Sequence, residues 1–293
     1  MAYGSFAELL GATAAHGSLG RAALAREAFD TSTSEADVLQ RMDESLTVME
    51  DAVAAGLADA TRSRSGLSGG DAARMAASAP QAVDARMTNA LSAALAVAEV
   101  NARMGRVVAA PTGGASGVLP AVLVTISQQQ GTSREETVLA TLAAAAVGGV
   151  IAARATLSGA AGGCQAEIGS AAAMAAAAAV ELIGGMPTQS GHAAAFAIQG
   201  LLGLVCDPIG GLVEVPCIAR NATATAVALT SAQMALAGME FPIPLDEVID
   251  TMGQVGRSLP PSLRETALGG LAASPTGRKL GANVCQGIGC PAR

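Results

Sequence analysis

Residues 171–180 read AAAMAAAAAV, and no other stretch limits the fold of this chain as strongly. Alanine has the highest helix propensity and gives a strand little to pack with, so the run reads as a helix. Its side chains are single methyl groups. Such a helix can be buried only where neighbouring backbones approach closely. The whole chain shares this character: of 293 residues 35 are Gly, none is Trp, one is Tyr, four are Phe, and 51% are apolar. That length and apolar content allow a substantial core. The expected architecture is all-α, a single compact Ala/Gly-rich helical domain.

Helix signals recur along the sequence. Val38, Met42, Leu46, Met49, Val53 and Leu57 step by three or four, behind a capping box of either Ser32 with Glu35 or Ser34 with Asp37. A second box, Ser133 with Glu136, precedes the apolar run 138–153, and Pro244 suits the start of a helix over 245–255. The runs 138–153 and 171–180 are shorter than the ~20 residues needed to span a bilayer. They read as buried helices, and no membrane is expected. Breaks are expected at 62–71, 111–120, 184–192, 240–244 and 259–262, and in a Gly-rich tail after Leu280.

A net charge of −7 argues against nucleic acid, which needs a basic surface. Five widely spaced cysteines do not form a secreted disulfide framework, and no signal segment opens the sequence, so the expected setting is cytoplasmic with reduced thiols.

Few side chains can do chemistry. Cys164, Cys206 and Cys217 lie in GGCQAE, LVCDPIGG and EVPCIARN, where a helix or turn ends and backbone N–H groups can face a thiolate. The bland reading of any one of them is a small buried hydrophobe. Three wide-spaced thiolates can also hold an iron–sulfur cluster and leave one iron without a protein ligand. A zinc site more often shows a close C-x-x-C pair, which is absent, although Cys285 and Cys290 could form half a knuckle. The stretch PTGGASGVLP, 111–120, lacks the Walker and dinucleotide spacings. It is either a tight turn or a nest of amides and the Ser116 hydroxyl around a carboxylate. RSRSGLSGGD, 62–71, is open to the same two readings. A single lysine, Lys279, argues against pyridoxal phosphate, and His16 and His192 sit in no catalytic pattern.

Five blocks, taken in order, carry a resemblance. SGLSGGDA (65–72), NARMGRVVAAPTGGASGVLPAVL (101–123), SGAAGGCQAEIGSAAAMAAAA (158–178), GLVCDPIGGLVEVPCIARN (203–221) and RETALGGLAASPTGRKL (264–280) resemble the α chain of iron–sulfur-dependent L-serine dehydratases. The resemblance implies a helical catalytic domain over 1–280 followed by a short tail, 281–293. It implies a 4Fe-4S cluster held by Cys164, Cys206 and Cys217, without pyridoxal phosphate. The implied reaction removes water from L-serine, and the resulting aminoacrylate yields pyruvate and ammonia. An open iron would act as the Lewis acid on the hydroxyl that leaves.

The substrate carboxylate would be held by some of Ser65, Gly66, Gly69, Gly70, Asn101, Thr112, Gly113, Ser116, Gly117 and Arg220. Gln165 and Glu167 would support the cluster rather than ligate it. The family's histidine-containing GPSSSHT region has no counterpart here, which implies a separate β chain, a hetero-oligomer and a general base supplied by that partner. Cys285 or Cys290 is a candidate displaceable fourth ligand. An L-cysteine desulfidase on the same scaffold and a non-catalytic metal-binding subunit are the alternatives.

Overall fold

The computed structural model describes residues 3–288, and side chains as far as Val284. Thirteen α-helices and no β-strand occur among the described residues. They are α1 (Phe6–His16), α2 (Leu19–Thr31), α3 (Glu35–Ala58), α4 (Asp71–Ala77), α5 (Ala85–Ala102), α6 (Val118–Gln130), α7 (Arg134–Arg154), α8 (Gly159–Gly162), α9 (Ser170–Ile183), α10 (Pro187–Leu201), α11 (Cys217–Leu236), α12 (Leu245–Ser258) and α13 (Pro275–Ile288). A π-helical turn, Gln165–Gly169, leads directly into α9. The all-α expectation holds, and the one extended pairing is an isolated bridge between Cys206 and Arg264.

The alanine run is the axis of the molecule. α9 is surrounded by α6, α7, α10 and α11, and every residue from Ser170 to Val180 is buried. α5 continues the packing outward from α11 to α3 and α4, while α2 and α1 cover α7 on the other side. Both long apolar helical segments, Arg134–Arg154 and Gln165–Ile183, have the length and composition to cross a membrane, yet most of each is buried inside the protein.

The helix starts follow the sequence signals. Ser34 with Asp37 forms the capping box of α3, and Ser133 with Glu136 that of α7. Other starts are capped from a distance by carboxylates. Asp246 accepts from the amides of Phe6 and Ala7 at the start of α1, and Glu181 from those of Leu19 and Gly20 at the start of α2. Orphan amides at a buried helix start need such partners.

Three expected breaks are shorter than the Gly and Pro residues suggested. α6 begins at Val118, so Pro120 sits in its first turn, where a missing N–H costs no bond. α10 begins at Pro187, which leaves only 184–186 between it and α9. The chain does not break after Leu280 either, because α13 runs through it to Ile288. The glycines of that stretch are tolerated inside a helix.

Close approach of backbones makes some glycines irreplaceable and leaves others free. A Cβ on Gly56 of α3 would collide with the Ala96 carbonyl of α5, whereas one on Gly11 of α1 would meet nothing within 4 Å. Gly56→Ala is expected to destabilise the protein by about 1–3 kcal/mol through overpacking. Gly11→Ala is expected to stabilise it by about 0.5–1 kcal/mol through helix propensity. Denaturant midpoints of the two variants should move in opposite directions.

Candidate metal centre

Three segments distant in sequence deliver their cysteines to one place. Cys164 links α8 to the π turn, Cys206 lies in the extended link after α10, and Cys217 is the first residue of α11. All three are free thiols, exposed by only 2, 3 and 8%. The Cys164 and Cys206 sulfurs share a hydrogen bond, and Cys217 feels the charge of Cys164.

The backbone around them is closely determined. Gly163 has φ +76°, and a Cβ there would lie 2.6 Å from Leu259 Cδ1 and 3.0 Å from the Leu204 carbonyl oxygen. Only glycine allows both the left-handed turn and that approach. The Gln165 amide donates to the Leu204 carbonyl at 3.0 Å. Gln165 Nε2 donates to the Gly162 and Met252 carbonyls, both at 3.0 Å, and its Oε1 accepts from the Gly203 amide at 2.8 Å. Gln165 therefore ties the Cys164 turn to α12 and to the strand-like link that bears Cys206. On the far side of that link, the Cys206 amide donates to the Leu263 carbonyl at 2.9 Å, and the Glu265 amide donates to the Cys206 carbonyl at 2.8 Å.

Charged groups surround the sulfurs. Arg220 Nη2 pairs with Asp207 Oδ1 at 2.8 Å, Nη1 donates to the Val205 carbonyl at 2.8 Å, and the guanidinium also hydrogen-bonds Cys164. Asp207 Oδ2 in turn accepts from the Leu271 amide at 2.7 Å. Glu167 Oε1 accepts from the Thr112 hydroxyl at 2.8 Å, while its Oε2 faces Cys206 Sγ at 3.9 Å. Ligand atoms of Glu167, Cys206 and Glu265 all lie within 4.8 Å of one another.

The hydrogen bond from Cys206, helped by Arg220, holds the Cys164 thiol below its ordinary range despite burial. The same hydrogen bond, followed by burial, pushes the Cys206 thiol far up. Burial pushes Cys217 up to about 12 and raises the Glu167 carboxyl. Three converging soft sulfur donors suit a soft metal centre. A donor set of three cysteines without histidine fits an iron–sulfur cluster that keeps one iron free of protein thiolate.

The loop 111–117 lies against this centre. Asn221 fastens it to α11: its Oδ1 accepts from the Gly117 amide at 2.9 Å, and its Nδ2 donates to the Gly114 and Cys217 carbonyls at 2.7 and 2.9 Å. Cis peptide bonds precede Pro111 and Pro216. Thr112 touches Glu167 as described, and Asn101 Oδ1 comes within 3.3 Å of the Cβ position of Gly113. Ser116 is fully buried and donates to the Gly113 carbonyl at 2.7 Å. The hydroxyl of Ser116 and the amide of Gly117 thus serve the loop itself.

The loop 59–70 is held by two buried carboxylates. Ser63 and Ser68 donate to Glu214 Oε2, between Cys206 and Cys217 in the chain. Glu99 accepts from the Gly70, Asp71 and Ala72 amides, capping α4. Ser65 Oγ accepts from the Leu67 amide at 3.0 Å and bonds the Ser63 hydroxyl, while Gly66, Gly69 and Gly70 all have positive φ. Arg220, expected at a carboxylate of the substrate, is engaged by Asp207, Val205 and Cys164.

His192 accepts from the Phe241 amide, and His16 ends α1 in solvent. Cys290 and the side chain of Cys285 lie outside the described residues.

The residues that sequence reasoning missed are Glu99, Asp207, Glu214, Asn221 and Glu265. Glu99 was detectable as a lone acid in an apolar helix, SAALAVAEV. Glu265 carries no local signal.

The sequence matches the family described as serine dehydratase alpha chain over residues 14–272, a span that contains all three buried cysteines and the 264–271 segment. The chain belongs to that family. A Bacillus subtilis (strain 168) protein named "Probable L-serine dehydratase, alpha chain" is 48% identical over 267 residues, 90% of this chain and 89% of the relative. The "L-serine dehydratase, alpha chain" of Peptoniphilus asaccharolyticus is 44% identical over 260 residues, 88% of this chain and 89% of the relative. "L-serine dehydratase 1" of Escherichia coli (strain K12) is 46% identical over 181 residues, which are 61% of this chain but only 40% of that longer protein.

Within this family member, Glu99 is expected to decide the order of loop 59–70. Glu99→Ala leaves the Gly70, Asp71 and Ala72 amides without their acceptor and removes one ion-pair partner of Arg103, a loss of about 2–4 kcal/mol. The variant should show a lower unfolding midpoint and faster proteolytic cleavage between residues 59 and 70.

Proposed function

We propose that the chain is the catalytic α subunit of a cytoplasmic L-serine dehydratase, a lyase that converts L-serine to pyruvate and ammonia with a 4Fe-4S cluster on Cys164, Cys206 and Cys217. The single observation that carries this reading is the convergence of three buried, free cysteines from separate segments, beside a loop with unused amides. The names of the α-chain relatives support the substrate.

When bound, the cluster supplies an iron without a protein thiolate, a Lewis acid for the β-oxygen of serine. The protein's own residues bind and orient. The Gly113 and Gly114 amides open a 3-10 turn, where no carbonyl of that turn can reach them. With the side chains of Thr112 and Asn101 beside them, they form the best-placed holder for the substrate carboxylate. Loop 59–70, with Ser65, Gly66, Gly69 and Gly70, closes the same side through Glu214. Ser116, Gly117 and Arg220 act as positioning residues: the first two shape the 111–117 turn, and Arg220 balances the charge of Cys164. Gln165 keeps the Cys164 turn and the Cys206 link in register.

Abstraction of the α proton is assigned to a β chain. Neither His16 nor His192 lies in a catalytic pattern, and "alpha chain" in the relatives' names points to a companion. The region of the longer relative outside its matched 40% is consistent with a second functional part. The oligomer is then heteromeric, and Cys285 or Cys290 is the candidate displaceable fourth thiolate.

The test is turnover by anaerobically reconstituted protein with and without its β chain, on serine and on cysteine. Pyruvate from serine that requires both chains, and falls at least about 10³-fold in Cys206→Ala, is the expected result. Full-rate turnover by the α chain alone would refute the assignment of the base. Preference for cysteine would make the enzyme a desulfidase, and no turnover of either substrate by the cluster-loaded pair would make it a binding subunit.

A further inference from the structure

A polar cavity of about 690 Å³ opens between the C-terminal halves of α3 and α5 and the loops that follow them. Its polar wall is unusual for this chain. Arg62, Arg64, Arg103 and Arg106 line it together with Asp51 and Asp59, in a protein of net charge −7 that has only seventeen cationic residues. Val48, Ala52, Ala55 and Val100 supply an apolar side.

Most of the polar groups can be assigned to the scaffold, and the remainder is cationic. Arg103 donates to the Asp59 and Thr61 carbonyls at 3.2 and 3.1 Å and pairs with Asp59 and Glu99, so it builds the floor. Asp59 also accepts from the Thr61 amide at 2.8 Å. Arg62 uses one nitrogen on the Gly66 carbonyl at 2.7 Å. Arg64 and Arg106 are exposed and make no hydrogen bond or ion pair among the described residues. Two whole guanidinium forks and part of a third thus face one cavity, with Asp51 as the one carboxylate not drawn into the floor.

We propose that this cavity binds a small molecule carrying at least two oxyanion groups, phosphate or carboxylate, with Arg64 and Arg106 as its principal contacts. Guanidinium forks match the planar edge of both groups and form paired charge-assisted hydrogen bonds with them. The cavity has the volume of a metabolite site rather than of a single ion. It is lined by none of the residues assigned to serine. It does share loop 59–70 with the cysteine centre: Arg62 and Arg64 face the cavity, while Ser63 and Ser68 bond Glu214 between Cys206 and Cys217. A ligand here would therefore order the loop that flanks the metal centre, as an effector does.

The test needs no turnover and stands apart from the assignment of the reaction. Binding of inorganic pyrophosphate and of citrate to the full chain is measured by calorimetry at matched ionic strength, for wild type, Arg64→Gln/Arg106→Gln and Arg278→Gln. The expected result is a Kd at or below about 1 mM for one of the two probes, weakened about tenfold or more in the double variant and unchanged in Arg278→Gln. The tighter probe identifies phosphate or carboxylate as the recognised group. Both arginines are unpartnered and exposed, so an unchanged unfolding midpoint verifies that the double variant folds. Absence of binding by either probe up to about 10 mM, or equal binding by the double variant, overturns the proposal. So does a double variant that loses only its association with a β chain, which would assign the arginines to an acidic protein surface.

Discussion

Everything in this fold depends on how closely backbones can approach α9. Because most of its side chains are methyl groups, four helices can pack closely around it, and the burial of Ser170 to Val180 is complete. Such packing gains from many dispersion contacts and from the absence of flexible side chains, which have little entropy to lose. It also gives the structure little tolerance. A position such as Gly56 or Gly163 cannot accept even a methyl group without moving a neighbouring backbone.

That rigidity sets the cysteines. α9, through its π turn, begins at Cys164, α11 begins at Cys217, and α6 begins just after the 111–117 loop that Asn221 pins to α11. Three helix starts are thus brought near the cysteines, and the positive ends of helix dipoles favour anions. Into that region the chain puts three sulfurs and the carboxylates of Glu167, Asp207 and Glu265, with Arg220 as the cation paired to Asp207. The excess of potential negative charge is the physical reason to expect a metal centre. It also explains why Arg220 is engaged with Asp207 and Cys164 rather than free for substrate.

The sequence made the helical class legible because alanine has few alternatives, and the two capping boxes at Ser34 and Ser133 appeared where expected. The three cysteines of GGCQAE, LVCDPIGG and EVPCIARN were legible as a set only through resemblance, since their spacing alone left several readings open. What could not be read was long-range pairing. Glu214 reaches Ser63 and Ser68, Glu99 caps α4, and the 263–265 segment clasps Cys206, all across wide separations without local pattern. Pro120, Pro187 and the glycines after Leu280 misled in the opposite direction, because residues that break helices in their interior are tolerated at helix starts or overruled by packing.

The most direct measurement is the iron and acid-labile sulfide content of anaerobically prepared chain, wild type against Cys217→Ala, with absorbance and EPR spectra on the same samples. If Cys164, Cys206 and Cys217 hold one cluster at the gathered helix starts, wild type carries about four of each, and the variant loses most of the content and the spectral signature. About one zinc per chain in place of iron, or an unchanged cluster in Cys217→Ala, would contradict that account.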